Sequence, residues 1–539
     1  MRDELQLESF GYQQELKRSF TLFGMIGFAF SVLTCWTALG GSLVVGILAG
    51  GPPVIIWGWL GVCAGSMCVA YSFAEICSAY PIAGGQYSWV AMLAPPKLAR
   101  GMSYVCGWFL VIGFLSAGAA NGFIGADFVL GLAQLANPSY TIERWHTCLV
   151  AYLVLIIAAL VNIYGRHLLE KMGRIMIIFN LLSFVVVIVV VLAMDDHKQD
   201  ARFVFKDFQN FTGFPNSYAG LLGLLQSAFG MTGCECFSEQ YSGTCSNTRI
   251  DDATAHMTEE LADAKRDAPK AIIWAVWIGT VTGFFFLIAL CFCITDINTA
   301  ATSATGVPLI QIIYDATNSL AATLALTICI TIIALVSLAF LFAQSSRVVF
   351  SFARDNGLPF SSFFKKVDKK RHVPTASILL VLVINMALMS IYFGSITGFN
   401  TVLAISTEGF YLSYIMPLVT RIWRRISSNA EYQQKDLVGG EYSLGRAGMI
   451  VNILGLLYLA FTCITFNFPS TYPVNSEDMN YTSAAVGVCI VIALVTWFTT
   501  GRRQYTGPET GTILDLAAQE RRERVAESIS GVVAGKRDD

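Results

Sequence analysis

Uncharged stretches long enough to cross a bilayer recur along this chain, beginning with Phe20–Leu48, which carries no acidic or basic side chain. A hydrocarbon core about 30 Å thick is spanned by roughly 20 helical residues. Backbone in lipid must satisfy its own hydrogen bonds, which leaves helices and closed barrels, and runs of this length select helices. Candidate spans fall at about 20–48, 53–79, 101–133, 146–165, 171–194, 216–234, 270–295, 320–352, 374–393, 397–424, 447–467 and 480–500. Composition agrees: 55% of residues are hydrophobic and 13% charged, whereas soluble domains carry about 25% charged. The expected fold class is an all-α membrane protein of about twelve transmembrane helices.

Charge placement orients the spans. With the N-terminus in the cytosol, the inside loops hold Lys97 and Arg100, Arg166, Lys171 and Arg174, Lys265, Arg266 and Lys270, Lys365 to Arg371, and Arg421, Arg424 and Arg425. The outside loops hold only Arg144, Lys198, Arg202 and Lys206, which is the positive-inside pattern. Residues 1–19 are then a cytosolic tail, 20–500 the membrane domain and 501–539 a second cytosolic tail. Met1–Ser19 is polar, so no cleavable leader is expected and the first span is its own insertion signal. The 14 cysteines are scattered singly through apolar runs and read as small packing residues. Two sequons, at Asn210 and Asn480, fall on outside loops and are candidates for glycosylation.

Two spans look discontinuous. Ser31–Gly41 (SVLTCWTALGG) puts hydroxyls, an indole and two glycines at mid-membrane depth. Such a stretch is either a break that lines a cavity or a straight helix with small residues for close packing. Span 6, Leu221–Gly233, ends in glycines and runs into the polar stretch Cys234–Asp251. Paired glycine-interrupted spans in corresponding positions point to a midplane binding site.

Six motifs carry a resemblance: Gly11–Arg18 (GYQQELKR), Ala49–Pro52 (AGGP), Ala74–Trp89 (AEICSAYPIAGGQYSW), Asp252–Glu260 (DATAHMTEE), Ser346–Pro359 (SRVVFSFARDNGLP) and Phe468–Tyr481 (FPSTYPVNSEDMNY). On these the chain resembles the amino acid–polyamine–organocation permeases, and among them the fungal amino-acid, γ-aminobutyrate (GABA) and choline branch. The resemblance implies a LeuT-like fold: a 5+5 inverted repeat with broken helices 1 and 6, plus two extra helices. Residues 234–251 depart from the family pattern. A true insertion would interrupt helix 6 beside the site, and a retained intron explains the stretch better. Cys234-Glu235-Cys236 can encode a donor GTGAGT, Ser246-Asn247 a branch string CTAAC and Ile250-Asp251 an acceptor TAG. Excising seventeen codons keeps the frame and restores Gly-Tyr-Asp-Ala-Thr-Ala-His-Met. Sequencing the transcript across codons 233–252 is expected to find the shorter message. A mature message with those codons establishes a genuine insertion.

The resemblance puts substrate at the helix 1 segment Thr34, Cys35, Trp36, Thr37 and Ala38, with Phe229, Thr232 and Gly233 opposite. Trp36 is a candidate for covering the substrate, or for stacking on a quaternary ammonium at about 0.5–2 kcal/mol; the alternative is an aromatic packed between helices. Glu408, in span 10, is an intramembrane carboxylate and so a functional candidate by default, for binding an amine or carrying a proton. Its alternative is structural. Glu75, Arg347, Arg354 and Asp355 are expected at the cytosolic side as gate or scaffold. Asn121, Asn180 and Ser183 are read as interhelical hydrogen-bonding groups. Cys234, Cys236, Cys245 and His256 match no zinc spacing, so neither metal nor cofactor is expected.

The expected function is secondary active transport of a small amino acid, a GABA-like zwitterion or choline, by alternating access and coupled to H+. The alternative is a nutrient sensor of the same fold that does not transport. No paired His/Asp, HExxH or GxSxG arrangement lies at membrane depth, so an enzyme is not expected. The partners are the small solute and the lipid bilayer, with no nucleic acid. The plasma membrane is the first expectation for location, and a vacuolar or other organelle membrane the second.

Overall fold

The computed structural model describes residues 35–80, 85–231, 264–297, 299, 303, 305–368, 373–427, 440–475, 479–505 and 507. Thr34, Thr232, Gly233, the stretch 234–251 and most of both tails lie outside them. The principal helices are α1 (Cys35–Leu48), α2 (Pro52–Ala79), α3 (Gly85–Leu93), α4 (Pro96–Ala136), α5 (Arg144–Tyr164), α6 (Arg166–Met194), α7 (Asn216–Met231), α8 (Ala264–Phe292), α9 (Pro308–Thr317), α10 (Leu320–Arg354), α11 (Thr375–Gly394), α12 (Ile396–Ile426), α13 (Gly448–Thr465) and α14 (Thr482–Thr496). All but α1, α3, α7 and α9 are long and apolar enough to cross a membrane, ten among the described residues. They match ten of the twelve expected spans. α1 and α7 cover the described residues of the other two.

Lipid as solvent shows on the surface. On α5, Leu149, Leu153, Ile157 and Leu160 are all about half exposed, and their spacing puts them on one helical stripe. The opposite stripe of Cys148, Ala151, Leu155 and Ala159 is buried. α4 has 41 residues, roughly 60 Å at 1.5 Å per residue. It therefore runs well beyond the hydrocarbon core, and α10 and α12 pack along it.

Close helix approaches need glycine. A Cβ on Gly409 of α12 would sit 3.0 Å from the backbone Cα and N of Gly113 on α4. That crossing tolerates no side chain. α1 and α7 also pack together: a Cβ on Gly230 would meet Leu39 at 2.5 Å, and one on Gly46 would collide with Gln226.

The α1–α2 corner is the AGGP motif. Gly50 and Gly51 have φ of 137° and 70°, values that L side chains rarely adopt, and Pro52 and Pro53 then start α2 with a preset φ. Ala49 and Gly50 pair antiparallel with Asn210 and Gln209. Phe211 N–H donates to Leu48 O at 2.9 Å, and Tyr472 N–H to Thr212 O at 2.8 Å. The loops around 210 and 472 thus clasp the end of α1.

Asn210 and Asn480 are both engaged within these loops. Asn210 Nδ2 donates to Phe214 O and Asn216 Oδ1, while its Oδ1 accepts from Thr212. Asn480 Nδ2 donates to Phe466 O and Phe468 O, and its Oδ1 accepts from Thr482. Each asparagine organises its own turn, the usual reason for Asn in such a place.

Candidate functional site

A cavity of about 480 Å³ opens at one end of the bundle, among α1, α4, α7 and α12 and the loops near 212, 306 and 470. This is the end of the bundle that the charge pattern expects to face outward. Its wall is mostly apolar and aromatic, with Val44, Phe123, Phe229 and Phe466 among the lining residues. Asp127 is the one charged side chain among them. Gln226 also lines the cavity; it is 1% exposed and its amide oxygen and nitrogen both lack hydrogen-bond partners.

Of the expected substrate residues, Phe229 lines this cavity. Cys35–Ala38 do not, and they are helical, belonging to α1. The unwinding expected over Ser31–Gly41 therefore does not extend into Cys35–Gly41; that part is regular helix. Trp36 is fully buried, its Nε1–H donating to Asn180 Oδ1 at 2.7 Å. Phe184 and Phe286 meet its ring edge-on, with centroids 6.0 and 5.2 Å away. This geometry is that of an aromatic packed between helices. Cys35 lies against α8, where a Cβ on Gly279 would meet its Sγ at 2.7 Å. Thr37 is buried and Ala38 partly so.

Glu408 lies one turn below the cavity. Ala404 lines it, and residues four apart share a helix face. The Glu408 side chain is buried. Its Oε1 accepts from Asn467 Nδ2 at 2.8 Å, and its Oε2 has no hydrogen-bond partner. Asn467 Oδ1 in turn accepts from Ser483 Oγ, and Ser483 is exposed. A short polar chain thus joins the buried carboxylate to the surface at the cavity end. Phe466, which precedes Asn467 in the turn just past α13, lines the cavity itself.

The opposite end holds a buried ion-pair cluster. Glu75, at the end of α2, pairs with Arg421 of α12, and both are buried. Its Oε1 also accepts from Ser443 Oγ at 3.2 Å and Leu444 N at 3.1 Å. Arg424 Nη2 donates to Met92 O at 2.6 Å, tying α12 to α3. Arg421 and Arg424, assigned to an inside loop from sequence, are in fact within α12 and buried. Arg354 pairs with Asp355 at 3.3 Å, and Asp355 accepts from Tyr87 at 2.9 Å. Arg347 lies half-buried on the last turns of α10. Arg354 and Asp355 thus form a cluster apart from that of Glu75.

Asp127 and Gln226 were missed. Asp127 is a lone acid in the otherwise uncharged stretch 101–133, the same signal that flagged Glu408. Gln226 gives no comparable signal, because an isolated amide in an apolar helix is commonly structural.

A model of the amino acid permease family matches residues 20–247 and 251–495. The chain is 54% identical over 461 residues to a Macrophomina phaseolina protein whose name assigns it to amino acid/polyamine transporters, covering 86% of this chain and 97% of that one. It is 30% identical over 510 residues to a choline transporter of Saccharomyces cerevisiae, covering 94% and 85%. It is 29% identical over 521 residues to an amino-acid permease of Arabidopsis thaliana, covering 94% and 96%.

Proposed function

The chain belongs to the amino acid permease family, and from that premise we propose that it moves a small amino acid, a GABA-like zwitterion or choline by proton-coupled alternating access. That it is a multi-pass membrane transporter follows from the family and the ten apolar helices. The finer reading is supported by one observation: a cavity open at one end of the bundle, with a buried ion-pair cluster at the other. This is the arrangement required of one half of an alternating-access cycle, in the outward-open sense if the N-terminus is cytosolic.

Glu408 is the proposed proton carrier. It lies just below the cavity and is linked by Asn467 and Ser483 to the surface. Protonation would remove the cost of an incompletely partnered carboxylate at membrane depth, so solute and proton occupancy can be coupled there. Uptake of labelled GABA, choline and an amino-acid panel in a transport-deficient host tests the reading. Acidifying the outside is expected to raise uptake. One pH unit of gradient is worth about 1.4 kcal/mol, or tenfold accumulation per proton. Glu408→Gln is expected to lose that tenfold advantage and respond little to external pH. Unchanged uptake at every pH by the variant would exclude Glu408 as the coupling group.

A further inference from the structure

We infer that Asp127 and Gln226 form a recognition subsite in the cavity for a solute with a positively charged nitrogen and a second polar group. The inference rests on the transport reading, and it names the chemistry that the entrance selects. Asp127 is the only charged group among the described lining residues, and no cation lines the same wall. No hydrogen bond or ion pair joins it to another described residue. A carboxylate in a mostly apolar wall calls for a counter-charge or water. A cationic solute supplies one, whereas an anion is repelled.

The second observation is independent of the first. Gln226 is on a different helix, α7, and is almost fully buried, yet both ends of its amide lack partners. Buried amides are normally hydrogen-bonded, and this one lines the cavity. Its amide oxygen packs against Gly46 of α1 in this structure; turned into the cavity, the side chain offers a donor and an acceptor, which suits a carboxylate, hydroxyl or carbonyl on the same solute. Phe123 and Phe229, near Asp127 and Gln226 in sequence on α4 and α7, add aromatic surface to the wall. Aromatic faces attract cations. An amino acid, an ω-amino acid and an amino alcohol all meet these requirements. A simple organic anion does not.

The test is equilibrium binding to the purified full chain in lipid nanodiscs, with labelled choline, GABA, tetramethylammonium and butyrate as probes. Choline or GABA is expected to bind and butyrate not to bind. Asp127→Asn is expected to weaken binding of the cationic probe at least about tenfold, as for loss of a charged hydrogen-bonding partner. Asp127→Glu is expected to restore most of it, and Gln226→Leu to weaken GABA more than tetramethylammonium. A monodisperse size-exclusion profile shows that each variant is folded. Equal binding by wild type and Asp127→Asn overturns the inference, as does butyrate binding as tightly as GABA or no binding of any probe at millimolar concentration. Uptake of a neutral solute, untouched by Asp127→Asn, overturns the subsite and leaves transport standing. Asp127-dependent binding without uptake of any probe keeps the subsite and overturns the transport reading.

Discussion

Replacing Arg421 with methionine is expected to destabilise the solubilised protein by about 3 kcal/mol, at the lower end of the cost of breaking a buried ion pair. The penalty arises because Glu75 stays buried without its partner in α12. It falls at the lower end because Ser443, Leu444 and Arg425 remain beside the carboxylate. The pair Glu75→Gln with Arg421→Met is expected to recover part of the loss, since no uncompensated charge is then left behind. Thermal unfolding in detergent, read as a double-mutant cycle, measures this. Additive losses would mean that the two side chains do not act as a pair.

Gly409→Val is expected to reduce uptake more than tenfold while the protein still reaches the membrane. Its Cβ would press on Gly113 Cα and N at 3.0 Å and on Phe109 O at 3.1 Å. These are backbone atoms, so the helices themselves must part. Overpacking of this kind costs about 1–3 kcal/mol. The displaced segment also carries Glu408, one residue away. Gly487→Ala is the control, because a Cβ there meets nothing within 4 Å. Uptake and surface expression, measured together, separate lost function from lost protein. Normal uptake by Gly409→Val would show that the α4–α12 contact can open without consequence.

The membrane helices were legible because lipid leaves few alternatives: each must be long, apolar and internally hydrogen-bonded. Their ends were less so. α4 begins at Pro96, five residues before the apolar run, since a helix does not stop where hydrocarbon does. Arg421 reads as a loop charge because its partner Glu75 is 346 residues away in sequence, a distance no local pattern spans. Glu408 was visible as a charge out of place, and Asp127 was equally visible by the same reasoning. Trp36 was placed with substrate from the family resemblance, while its hydrogen bond to Asn180 depends on helix packing that only the fold reveals.

The Glu75–Arg421 pair also has a consequence for biosynthesis. At about 5–20 residues per second, the ribosome needs roughly 20–70 s to make the 346 residues that separate the two partners. Throughout that interval the end of α2 carries an acid whose eventual cation does not yet exist. Nascent chains halted before α12 keep this unmatched charge.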